Sequence, residues 1–370
     1  MSMGKGFVIT DNLDLGKQLM IGYESARSPE LPRIKIAAIV NDAVATLLSF
    51  VYQFRSNPRR KAAMGLIVGT GCNATIPLAL SKLHPSKRPK QVKVLDDSEA
   101  DNDLKIAVNT EWAINGAAAP LHELKFITNW DKILDEEVEA PGFQPFEYMT
   151  AGRYLGELGR IIIVDYFTHH LNIPESALPS KLRERHGLTT TFLGNLGPHL
   201  SHIEPSMLKQ LEAEFPPSLS SRAWHWTEEA ASAVFKIGKA VQVRAAGMTA
   251  AAILGLLACA DEIHFSLSQP SSPSTQKRTN LPNGETHTST AKRKRTIDDL
   301  MVGYTGGCIV HFQDYLEDCQ AFLDAIMARD FGCGSGEAEV ERVVLQPCHD
   351  GGIIGAGILA GTVQSIAHDS

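Results

Sequence analysis

Cysteine is scarce in this chain of 370 residues: there are six, at positions 72, 259, 308, 319, 333 and 348. Their spacings include no paired metal-ligand pattern, and most lie in apolar or helical surroundings. A disulfide framework is therefore not expected, and the thiols read as the reduced cysteines of a cytoplasmic or nuclear protein. Positive charge is also in deficit, with 35 basic against 42 acidic residues and a formal net charge of -7. The folded body thus has no electrostatic reason to bind nucleic acid. The start, Met-Ser-Met-Gly-Lys, lacks an apolar signal region. The most apolar stretch, Ala245 to Ala260, follows Lys236, Lys239 and Arg244 and is rich in alanine and glycine. It reads as too short and too small-residued to span a bilayer, so it is assigned to buried core and no membrane partner is expected.

What is present suits a globular enzyme: 44% hydrophobic and 21% charged residues, in a chain long enough for two lobes. The organising stretch is Ile36 to Leu48. An apolar run, Ile36–Val40, has the character of a buried strand. It stops on Asn41 and Asp42 and resumes with helical spacing through Ala45, Leu47, Leu48 and Val51. A carboxylate where a strand gives way to a helix lies at the mouth of an open α/β sheet, where such folds bind ligands. Asp42 there suits a proton acceptor from a substrate hydroxyl, with Asn41 as an orienting donor. The alternative is that Asn41 and Asp42 simply cap the helix, a position both residue types favour.

Three further segments follow. Met64 to Asn73 is an apolar strand running into Gly69-Thr70-Gly71, whose glycines let backbone approach a ligand closely. Leu104 to Val108 is another apolar run, ending in Asn109-Thr-Glu-Trp112. Phe146 to Glu157 opens what reads as one long amphipathic helix, Pro145 to Asn172. Farther on, 226–260 reads as a long helical region, Met301 to Phe312 as two strands around Thr305-Gly-Gly307, and Gln313 to Arg329 as an amphipathic helix. Val343 to Leu345 reads as a strand leading to Asp350-Gly-Gly-Ile-Ile-Gly-Ala-Gly357 and a last helix.

In their order and spacing the four motifs, Asn41-Asp42, Gly69-Thr-Gly-Cys-Asn73, Asn109-Thr-Glu-Trp112 and Phe146-Glu147, resemble the hexokinase family, the ATP-dependent sugar kinases. The resemblance runs from Lys5 to Gln364 apart from an insertion at Ser266 to Arg295. It implies an α/β, actin-like ATPase (ribonuclease H-like) fold, with a hexokinase large lobe and an incomplete small lobe. The corresponding divisions are a small-lobe remnant over 1–40, large lobe over 41–265, the insertion over 266–295, and the rest of the large lobe over 296–370.

The resemblance also implies roles. Asp42 would be the base that takes a proton from the sugar's primary hydroxyl. Lys5 matches the lysine of the family's Thr-Lys-Gly-Phe segment, although Gly4 stands at its threonine; such a lysine would balance charge on the phosphoryl path. Asn41, Asn73, Glu111 and Glu147 would hold the sugar, since carboxylates accept from its hydroxyls. Gly69, Thr70 and Gly71 would meet ATP phosphates. Gly306 is what remains of an Asp-Gly-Ser nucleotide turn, with Thr305 and Gly307 in place of the aspartate and serine. Asp350, Gly351 and Gly355 match an adenosine motif in which Gly352 replaces a serine and Ile353 a glycine. ATP and Mg2+ would be the cofactors, with no protein metal site.

Other features fall outside these roles. His169 and His170 read as capping or surface residues. The family's Asp-x-Gly-Gly-Thr-Asn phosphate loop has no equivalent, which predicts a missing upstream segment or a protein without half of its catalytic cleft. The insertion is nearly free of apolar residues and reads as disordered. It ends in Lys292-Arg293-Lys294-Arg295, either a solvated cluster or a contact for a nuclear-import receptor. Two functions are thereby expected: ATP-dependent phosphorylation of the 6-hydroxyl of glucose or a related hexose, amino sugars included, by a cytoplasmic or nuclear kinase, or, as the alternative, a regulator that binds sugar without efficient turnover. The altered nucleotide-side positions favour impaired catalysis.

Overall fold

Strand β1 (Arg60–Val68) is the centre of the molecule because both of its edges and both of its faces are occupied. The computed structural model describes residues 14–90, 92, 104–114, 117–196, 205–217, 225–264, 295–330 and 338–368. Within them β1, β2 (Cys72–Ala79), β3 (Lys105–Asn109), β4 (Arg295–Thr305) and β5 (Ala338–Pro347) form one five-stranded sheet in the order β3-β2-β1-β4-β5. The β1–β2 and β2–β3 pairs are antiparallel; β1–β4 and β4–β5 are parallel.

Side chains alternate between the faces of a strand, and the two hydrophobic clusters obey that period. Leu300, Val302 and Tyr304 of β4 and Val343 and Leu345 of β5 enter the main core, while Met301 and Val344 point to a second cluster with Phe50 and Cys348. Helix α1 (Leu15–Ala26) precedes the sheet and has no buried residue, and the second face is covered by α2 (Asp42–Phe54), on which α13 (Gly351–His368) packs in turn. Close approach of α2 requires glycine beneath it. A Cβ on Gly65 would lie 2.7 Å from both the Ala43 carbonyl and the Leu47 amide, and one on Gly303 would enter the Phe50 ring. Phe50 is fully buried there, worth about 2 kcal/mol of transfer free energy.

The opposite face carries the helical mass inserted between β3 and β4. It comprises α3 (Ala118–Glu123), α4 (Asn129–Glu137), α5 (Pro145–Thr150), α6 (Gly152–His169), α7 (Ser180–Arg183), α8 (Thr190–Asn195), α9 (Pro205–Glu214) and α10 (Glu228–Cys259). The short α11 (Gly307–His311) and α12 (Tyr315–Asp330) complete it after β4. At 32 residues α10 is long and apolar enough to cross a bilayer, so length is no objection, contrary to expectation. Its packing against α5, α6, α9 and α12, with 56% of its most apolar window buried, is what makes it a core helix. His169 lies against Asp165 on the surface, and His170 caps α6.

Three expected elements differ. Residues 34–41 are not a strand: the backbone is irregular and Ile39 is 53% exposed. A strand needs a ladder partner, and among the described residues no strand pairs with this segment. The helix expected over Pro145 to Asn172 is broken at Ala151, whose backbone is extended. The break lets the Gly152 amide donate to the Gly69 carbonyl at 2.8 Å and the Arg153 amide to the Thr70 carbonyl at 3.3 Å. The second strand expected before Phe312 is instead α11, because the chain turns off the sheet at Gly306, in a left-handed conformation with φ 123°. In addition, Arg295 opens β4, so the sheet begins one residue inside the expected insertion.

Candidate active site

Pairing of β2 with β3 assembles the first part of the site. The register places Thr75 opposite Asn109, and two residues outward the chains leave the ladder as Asn73 and Glu111. Asn73 Nδ2 donates to Asn109 Oδ1 at 2.7 Å and to Glu111 Oε1 at 3.2 Å, and Asn109 Nδ2 donates to Glu111 Oε1 at 2.7 Å. Glu111 holds this position with a left-handed φ of 45°, a conformation that costs a non-glycine residue energy and recurs at functional sites. Glu147, buried in the first turn of α5, accepts from the Cys72 amide through Oε2 at 3.0 Å. Asn73, Glu111 and Glu147 are thus tied to one strand end, with two carboxylates and two amides converging on it.

Asn41 and Asp42 sit at the start of α2, the helix that crosses β1, β2 and β3. Asn41 Oδ1 accepts from the Ala43 amide at 2.9 Å, as does Asp42 Oδ1. The capping role is therefore real. It is also compatible with the chemical one, because each cap uses a single oxygen. Among the described residues, no protein hydrogen bond engages the Asn41 amide group or Asp42 Oδ2, which leaves both for a ligand.

The second part of the site is built from backbone. Gly69-Thr70-Gly71 closes a tight turn, with the Gly69 amide donating to the Gly71 carbonyl at 2.9 Å. Gly306 lies directly against it: a Cβ at Gly306 would overlap the Val68 carbonyl, and one on Gly69 would come 3.5 Å from Gly306 Cα. These turns open on a cavity of about 310 Å³ whose walls are Gly69 and Thr70, Gly152 and Arg153, Thr190 and Thr191, and Gly307, Cys308, His311 and Phe312. Thr190 is committed to structure, since its hydroxyl donates to the Gly152 carbonyl and accepts from the Gly156 amide. Arg153 pairs with Glu139 at 2.6 Å. A backbone hydrogen bond and then the Arg153 guanidinium hold the Glu139 carboxyl below its usual range. Burial pushes the Cys308 thiol up to about 12, so it is neutral.

Asp350, Gly351 and Gly355 are not among the walls of this cavity. Asp350 is exposed, with φ 56°, and the two glycines are buried against α2, where a Cβ on Gly355 would overlap the Ala45 carbonyl. Lys5 and Lys292 to Lys294 lie outside the described residues. Thr190 and Thr191 fall in Leu188–Leu193, whose three threonines resemble a short segment of the hexokinase family, whereas no sequence pattern marks Arg153 or His311 as a site residue. A larger cavity of about 1070 Å³, lined by apolar side chains of the 112–126 segment and α10, touches the site only through Thr110 and Glu111. Its lining is mostly apolar, and its cation, Arg244, is held in a two-pronged pair by Asp131 at 2.8 and 2.9 Å.

A family model described as Hexokinase matches residues 63–362. The chain belongs to the hexokinase family. Among its relatives, Hexokinase-1 of Oryza sativa subsp. japonica is 27% identical over 362 residues, covering 96% of this chain and 59% of the rice protein. The hexokinase of Schistosoma mansoni is 34% identical over 170 residues, 46% of this chain and 33% of that protein. A solved structure of the Schistosoma mansoni hexokinase complexed with glucose superposes with a TM-score of 0.60 at 24% identity, over 88% of this chain and 57% of that one. This hexokinase-family chain therefore has the α/β fold of the actin-like ATPases, and it spans well under two thirds of those relatives' length.

Proposed function

We propose that this chain binds a hexose at the Asn73–Glu111–Glu147 cluster and takes part in ATP-dependent transfer of a phosphoryl group to the sugar's 6-hydroxyl, glucose or a related hexose being the acceptor. The observation that carries the reading is the hydrogen-bonded set Asn73, Asn109 and Glu111, with Glu147 one residue away through the Cys72 amide. A sugar offers several hydroxyls at once, and two fixed carboxylates with amide donors between them suit it. Asp42 accepts the proton of the attacking hydroxyl, and the Asn41 amide orients that oxygen. Lys5 is proposed to lie near the phosphoryl path. The Gly69–Gly71 turn and the cavity beside it receive the nucleotide phosphates, and Asp350, Gly351 and Gly355 remain the proposed adenosine end. The cavity walls offer hydroxyls but no carboxylate, so Mg2+ fits as the partner of the ATP phosphates, with few protein ligands.

A second reading is a regulator that binds sugar with little turnover. It is favoured by the bare Gly306-Gly307 turn and by Ile353, 78% exposed at the start of α13 where the family pattern has glycine. Calorimetric titration with glucose and N-acetylglucosamine, with and without Mg-ATP and followed by a phosphoryl-transfer assay, decides between them. Binding with turnover supports the kinase, binding without turnover the regulator, and no sugar binding rejects both for this chain. The protein is proposed to be cytoplasmic or, through an import receptor at Lys292 to Arg295, nuclear; fluorescence imaging of the chain with those residues neutralised tests the second site.

A further inference from the structure

The cavity beside the Gly69–Gly71 turn poses a donor problem. A phosphate-bearing ligand needs hydrogen-bond donors, preferably cationic ones, and most of those near this cavity are already engaged. The first two amides of α6 donate to the Gly69 and Thr70 carbonyls. Thr190 is saturated by backbone, Arg153 is paired with Glu139, and Cys308 is a buried neutral thiol. Position 307 is glycine and presents no side chain. His311 is different. It is exposed and lines the cavity, and no hydrogen bond or ion pair engages its ring among the described residues. A Cβ built on Gly307 would meet His311 Cδ2 at 3.9 Å, so the imidazole stands beside the space that a side chain at 307 would fill.

Its backbone is also held in place. The Phe312 amide donates to the Cys308 carbonyl at 2.9 Å, Phe312 is buried, and a Cβ on Gly194 of α8 would lie 2.8 Å from the His311 carbonyl. Only the ring is free to meet a ligand, from a rigid support.

We propose that His311 is a nucleotide-binding residue, its ring donating to a phosphate oxygen of the ligand in the cavity formed by Thr70, Gly307 and Arg153. This rests on the nucleotide reading of that cavity. It adds a residue that the motifs do not supply and explains how a bare Gly306-Gly307 turn could still hold a phosphate. Thr70 and Thr191 hydroxyls complete the donor set, and Arg153 remains in its ion pair.

The test is calorimetric titration of the full chain with Mg-ADP and with adenosine, at saturating glucose. His311→Ala should weaken Mg-ADP about tenfold, as loss of a hydrogen bond to a charged group implies, and leave adenosine and glucose affinities within about twofold. His311→Gln, which keeps an N–H donor, should recover most of the loss. Mg-ADP affinity unchanged in His311→Ala would overturn the role of His311 while leaving the nucleotide site standing. Equal weakening of Mg-ADP and adenosine would overturn the phosphate assignment. Failure of the unaltered chain to bind Mg-ADP while it still binds glucose would overturn the nucleotide reading and this inference together.

Discussion

The two halves of the site are made by different means. The proposed sugar side is a network of side chains: Asn73, Asn109, Glu111 and Glu147 bond to one another or to a strand amide. The proposed nucleotide side is chiefly two backbone turns in contact, Gly69–Gly71 and Gly306-Gly307, closed by the broken start of α6. Chemistry held in side chains tolerates changes in the supporting fold and fails one residue at a time. Chemistry held in backbone fails all at once when a Cβ enters, because no rotamer can remove it.

Substitutions that separate these halves sharpen the contrast. The largest effect is expected from Asp42→Ala, which should lower turnover about a thousandfold, as loss of a general base does. Hexose affinity should stay within about threefold, since Asp42 is not part of the carboxylate–amide network. Rapid-quench assays beside calorimetry check this, and loss of sugar binding would make Asp42 structural instead. Next comes Gly306→Ala. The new Cβ would meet the Val68 carbonyl at a φ of 123°, and stability should fall by roughly 3 kcal/mol, measured by urea unfolding. If Gly306→Ala unfolds normally and binds Mg-ADP as before, the backbone account of the nucleotide side is wrong.

Glu111→Gln should weaken hexose binding about tenfold and change stability by under about 1 kcal/mol, because Glu111 is exposed and its amide partners can turn to water. A loss confined to Mg-ADP binding would reverse the assignment of the two halves. The smallest effect concerns the buried thiols of α11 and α12, Cys308 and Cys319. Burial raises both Cys308 and Cys319 to about 12, so at pH 8 only about one in ten thousand is thiolate. Because the values are raised, the thiol form should persist across pH 6 to 9, and mass spectrometry after brief alkylation should find exposed Cys259 modified well before Cys308 and Cys319. Rapid labelling of Cys308 would mean that the wall opens.

The helix cap at Asn41, the strand end carrying Asn73 and the acid at Glu111 were all legible in the residues, because each is a local pattern of apolar run followed by polar stop. Even α2 and β1 were placed within a few residues of their observed bounds. The break at Ala151 was not legible. Pro145 to Asn172 has helical spacing throughout, and only the Gly69 and Thr70 carbonyls, far away in sequence, make it favourable to interrupt the helix there. The same holds for residues 34–41, whose composition suits a strand but whose ladder partner is absent among the described residues.

The sequence by itself determined which polar residues end each apolar run, the motifs that carry the family, and the order of those runs, since these are properties of neighbouring residues. Only the tertiary structure decided that Asn73 and Glu111 bond to one another, that Gly355 serves the packing of α13 on α2, and that His311 reaches the cavity. Those outcomes depend on strand register and on the approach of one backbone to another, and such long-range contacts leave no periodic signature in a single chain.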